Sequence, residues 1–163
     1  MNTDFNLSLS NNVLLGRGFS GNSGFIRFQT PTSNQTCNGL TVVQGDGSGV
    51  SQGMLVQYDG GLWYPADADT ENRSTQMLGI AISDEVADDG VLVQGIAKTN
   101  YGVLSSASAG DILYVDETAG YYTNVRPTID NDFVRIIGYL LDISDAENPV
   151  IYFDPDKTFI KLG

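Results

Sequence analysis

Apolar residues along this chain come in short bursts, often at every second position, and glycine, asparagine, aspartate or proline closes most of them. A period of two sends alternate side chains to opposite faces of an extended strand, so the pattern predicts strands rather than helices. Candidate strands cover residues 40–43, 54–58, 62–64, 77–83, 91–98 and 101–104, then 112–115, 121–123, 134–143, 150–153 and 158–162. A spacing of about ten residues is the cadence of a sandwich or barrel. No stretch holds apolar residues at helical spacing over three turns, and residues 83–89 suit one turn of helix at most. The expected fold is all-β, a small β-barrel or β-sandwich.

The same phrase occurs twice. Gly53-Met54-Leu55-Val56-Gln57-Tyr58-Asp59 is answered by Gly110-Asp111-Ile112-Leu113-Tyr114-Val115-Asp116. Met77-Leu78-Gly79-Ile80-Ala81 is answered by Ile136-Ile137-Gly138-Tyr139-Leu140, and Val91-Leu92-Val93 by Val150-Ile151-Tyr152. The drift between copies falls in a loop, where insertions are tolerated. The reading is an internal repeat, with related halves at about 53–97 and 110–155 inside a body spanning 40–163. A glycine inside a strand marks a bulge, a bend or a close approach, so Gly79 and Gly138 suggest a kink that curls each sheet toward closure.

Residues 1–39 differ in texture. They are rich in Asn, Ser, Thr and Gly, with strand candidates at 5–9 and 25–30 and a glycine-punctuated loop between them. Two readings stay open: an arm that orders on a partner, or ordinary edge strands with a long loop. The charge divides at a similar place. Residues 1–45 hold one acid and two bases, whereas residues 46–163 hold 19 acids and six bases, within a net charge of −12. An acidic body repels phosphate backbones, so no nucleic-acid partner is expected. No apolar run reaches membrane-spanning length and no signal peptide is visible, so no membrane partner is expected and synthesis is read as cytoplasmic.

The chemical inventory is narrow. Histidine is absent, which removes Ser-His-Asp and Cys-His catalysis and His-ligated metals. Cys37 is the single cysteine and has no basic neighbour in sequence to activate it. Asp67-Ala68-Asp69-Thr70-Glu71 alternates like a calcium loop but lacks the EF-hand glycine and terminal glutamate. No catalytic residue, metal or cofactor is expected. Tyr58, Trp63 and Tyr64 form a candidate stacking platform for sugar rings, with core packing as the competing role.

Three C-terminal segments carry a resemblance. They are Gly110-Asp111-Ile112-Leu113-Tyr114-Val115, Val134-Arg135-Ile136-Ile137-Gly138-Tyr139, and Val150-Ile151-Tyr152-Phe153-Asp154-Pro155. The series resembles capsid decoration (cement) and head-fibre proteins of tailed bacteriophages. That resemblance implies a non-enzymatic virion protein on the capsid surface, a homotrimer that clamps major capsid protein. Phe5, Leu7, Leu9, Arg17, Phe19 and Arg27 are then the expected capsid or protomer contacts. The alternative is a receptor- or glycan-binding head-fibre or tail-fibre module using Tyr58, Trp63 and Tyr64.

Overall fold

The structure, a computed structural model, describes residues 14–17 and 24–163. Its elements are β1 (Leu14–Arg17), β2 (Gly24–Arg27), β3 (Thr36–Val42), β4 (Asp46–Gly47), β5 (Leu55–Asp59), β6 (Leu62–Pro65), α1 (Glu71–Ser74), β7 (Met77–Ala81), α2 (Val86–Asp89) and β8 (Val91–Lys98). There follow β9 (Gly102–Val103), β10 (Ile112–Val115), β11 (Tyr122–Thr123), β12 (Phe133–Val134), β13 (Ile136–Asp142), β14 (Val150–Phe153) and β15 (Ile160–Lys161). The fold is all-β. Both helices are single turns, and α2 falls where the sequence allowed one.

Eleven strands join one mixed sheet, ordered β4-β6-β5-β7-β8-β14-β13-β10-β11-β9, with β3 along the other edge of β8. The sheet does not close into a barrel. Its ladder path ends at the two short strands β4 and β9, which pair in parallel with β6 and β11. A few backbone hydrogen bonds still cross between the halves: Leu55 N–H donates to Gly120 O, Gly120 N–H to Ala66 O and Ala68 N–H to Asp116 O.

The stretches 53–97 and 110–155 show a similar order of strand pairings. β5 pairs with β6 and β7, and β7 with β8; β10 pairs with β11 and β13, and β13 with β14. Loop bonds match as well. Gly53 N–H donates to Ala81 O and Gly110 N–H to Leu140 O, while Ala81 N–H and Leu140 N–H donate back to Met54 O and Asp111 O. The halves meet where β14 runs antiparallel to β8, from Gly95↔Phe153 to Lys98↔Val150.

The core draws on both halves. Leu55, Ile80 and Leu92 pack with Leu113, Val115, Tyr122, Ile137, Ile151 and Phe153 in the larger cluster. A smaller cluster, Val56, Trp63, Ala81, Val86 and Val91, lies on the opposite face of β5 and β8. Strands covered on both sides lose the clean in–out alternation, which is why Leu55, Val56 and Gln57 are all buried.

Three boundaries depart from the sequence reading. β3 begins at Thr36, within the segment assigned to the arm, and pairs with β8 from Thr36↔Lys98 to Val42↔Val91. Gly16, assigned to a loop, lies inside β1, which forms a hairpin with β2. The candidate strand at 134–143 is divided at Arg135: Phe133 and Val134 pair with β15, and the main sheet resumes at Ile136.

Candidate functional site

Of the expected capsid or protomer contacts, Phe5, Leu7, Leu9 and Phe19 lie outside the described residues. Arg17 and Arg27 stand in the β1–β2 hairpin, in register with Gly24 and Leu14 respectively.

The aromatic platform is not presented to solvent. Trp63 is fully buried, its indole N–H donates to Gln44 O at 2.6 Å, and the Tyr58 ring tilts against it at 4.9 Å. Half-buried Tyr64 has the Arg73 guanidinium 3.6 Å from its ring centroid. These faces are already occupied by the protein's own groups, so Trp63 serves the core and not a sugar.

Carboxylates gather at a seam between the halves. Ala68 N–H donates to Asp116 O at 2.9 Å, and Phe133 N–H donates to Ala68 O at 2.7 Å. Those two bonds bring Asp67, Asp69, Asp116, Glu117 and Asp132 into one neighbourhood. Asp132 is buried, and its Oδ2 has no hydrogen-bond partner among the described residues. Burial raises the Glu117 pKa first, with the Asp132 carboxyl adding to it. Among the described residues no three of these groups stand so as to hold a metal ion.

Burial, followed by the side-chain hydrogen bond with Asp69, pushes the Asp67 carboxyl up to about 6, against opposite pulls from the Asp69 N–H that donates to it and, less, from Arg73. A raised carboxyl is held protonated in the fold while already ionised in the unfolded chain. Its contribution is therefore fully present below about pH 4 and is lost as pH rises to about 6. Stability of the wild type should fall between about pH 4 and 6 in urea titrations, and Asp67→Asn should fall less. The lowered carboxyls Asp142, Asp145 and Asp156 act in the opposite sense at lower pH. A variant that kept the full slope would exclude Asp67 as its source.

A cleft of about 660 Å³ opens where the two half-sheets part from β8. β7 pairs with β8 only at Leu92 and Val91, and β14 only from Gly95 to Lys98, leaving Val93 and Gln94 at the fork. Val93 is also the extra residue where the β3 register shifts, since Leu40 pairs with Gln94 and Thr41 with Leu92. A bulge at that point re-aims the strand. Leu40, Met77, Val93, Gln94, Arg135 and Lys157 are among the lining residues.

Arg135 is the charged group of this cleft that the sequence reading missed as a site. It is only 4% exposed. Its Nε–H donates to Asp156 O at 2.9 Å and its Nη1 to Ser74 O at 2.8 Å and to Gln76 O. Burial lowers its pKa to about 10, with the Asp156 charge opposing through space. The only available signal was a base within an apolar strand run, Phe133-Val134-Arg135-Ile136-Ile137. Cys37, half-buried in β3, has its thiol pushed up to about 11 by burial, so little thiolate exists at neutral pH.

Comparison of the chain with protein families, with curated proteins and with solved structures found no match.

Proposed function

We propose that this chain is a non-enzymatic virion protein of a tailed bacteriophage, seated on the capsid surface as a homotrimer and bound to major capsid protein. The observation that carries the reading is an outward apolar row across the strands that hold the C-terminal resemblance. Ile112 pairs with Tyr139, Tyr139 with Tyr152 and Tyr152 with Ile96, and directly paired residues share a face. Ile112 and Tyr139 are exposed and Tyr152 and Ile96 half-buried, on a body that is otherwise strongly acidic. An apolar strip on such a surface suits a protein contact, with neighbouring protomers or with the shell. A repeated lattice then multiplies modest contacts into firm attachment, and its symmetry favours a symmetric oligomer. The fibre-module alternative gains no support from Tyr58, Trp63 and Tyr64, whose faces are engaged internally.

Deletion of residues 2–30 tests the reading, because it spares β3 and the whole main sheet. The truncated chain should keep its β-type circular dichroism and its cooperative melt. It should no longer sediment with capsid shells assembled from major capsid protein, whereas the full chain does. Wild-type sedimentation by the truncation would remove the N-terminal segment from the contact. Failure of the full chain to sediment would overturn the capsid assignment itself.

A further inference from the structure

We propose that the cleft at the β8 fork binds a carboxylate carried on an apolar body, with Arg135 as partner of the anion and Leu40, Met77 and Val93 as the apolar wall. The inference stands apart from the capsid reading, since it rests on this cleft alone.

A buried guanidinium is normally matched by an anion, because neutral acceptors offset only part of its lost hydration. Arg135 has carbonyl acceptors on Nε and Nη1, and its Nη2 makes no hydrogen bond among the described residues. No carboxylate lies within ion-pair distance of it among those residues. Asp156 acts on Arg135 through space but forms no ion pair with it, its Oδ1 accepting from Thr158 N–H, and Asp154 Oδ1 accepts from Gln94 Nε2. Lys157 adds a second positive charge to the same lining. Asp154 is the one acid of the lining, so two bases against one acid still make the cleft locally positive in a chain of net charge −12.

The apolar requirement comes from the rim. Leu40 and Met77 are 41% and 43% exposed where they border the cleft, and Val93 and Pro155 extend the apolar surface. The volume lies within the range of small-ligand sites, roughly 300–1,000 Å³. Planar guanidinium suits carboxylate geometry, and the remaining donor can bind end-on while Lys157 supplies a point charge. Two sources share this chemistry: a free medium-chain acid, and an acidic side chain next to apolar residues in a polypeptide.

The test uses the full ¹⁵N-labelled chain and follows the Arg135 Nε–Hε resonance. Hexanoate should shift it saturably, together with the Gln76 and Gln94 amides, and hexanamide should bind at least about tenfold more weakly. Capped Leu-Asp-Leu, with Leu-Asn-Leu as its neutral control, forms the second arm. Tighter binding of the acidic peptide than of hexanoate identifies a polypeptide source, and the reverse order identifies a free acid. Arg135→Gln removes three backbone anchors and risks unfolding, so exposed Lys157→Gln serves as the companion variant and should weaken hexanoate about threefold. Equal shifts from hexanoate and hexanamide would overturn the proposal. So would shifts confined to Lys98 and Lys161, or a response that never saturates.

Discussion

Gly138→Ala should destabilise the chain by about 2–6 kcal/mol. Gly138 sits in the middle of β13 with φ at 142°, a region that side chains rarely adopt. A methyl group there would land within the carbonyl oxygen of Tyr152 on the adjacent β14. That oxygen is main-chain and belongs to a ladder, so it cannot swing aside as a flexible side chain would. Backbone strain of about 1–3 kcal/mol adds to a comparable cost for forcing the strands apart. The sum is a large share of the about 5–15 kcal/mol that holds a native domain together. Gly60→Ala is the control. Gly60 also has positive φ, at 58°, but nothing lies within 4 Å of its added methyl, so only local strain of about 1–2 kcal/mol remains. Urea midpoints measured side by side decide the matter. A wild-type midpoint for Gly138→Ala would mean that β13 and β14 do not approach as closely as described.

Trp63→Ala should cost about 3–5 kcal/mol, the range for emptying a large aromatic site in a packed core. The ring is fully buried among Val56, Ala81, Val86 and Val91, and its N–H is bound to Gln44 O, which would lose its partner. Trp63→Phe should fall between the two, keeping much of the volume and losing the hydrogen bond. Because Trp63 is the only tryptophan, native fluorescence reports on this one site. Emission should be blue-shifted and resistant to acrylamide quenching until the chain unfolds. Strong quenching of the native protein would place the indole in water and restore the stacking platform.

Those two positions also show which parts of the fold were legible. Short apolar runs such as Leu62-Trp63-Tyr64 and Ile112-Leu113-Tyr114-Val115 give away their strands, because aromatic and β-branched residues bounded by turn residues suit extended backbone. The pattern does not tell which face meets water when both faces are covered. Trp63 therefore carries two readings in sequence, stacking platform and core side chain, and it is buried in the smaller cluster. Thr36-Cys37-Asn38-Gly39 reads as a polar loop, yet the ladder to β8 makes it strand. Gly39 and Gly95 face one another there so closely that no side chain fits between them. Pairing supplied by a distant segment overrides local preference. Arg135 was illegible as a site for a related reason. A lone base in a strand is ordinarily solvated, and its acceptors, Ser74, Gln76 and Asp156, come from two remote stretches of chain.

The position of β8 has a mechanical consequence. It touches β7 near its start, β14 near its end and β3 along nearly all its length, so one strand belongs to both halves at once. Peeling either half away would strip the other of a neighbour and expose the core they share. Pulled or heated, the two halves should yield together and not one after the other.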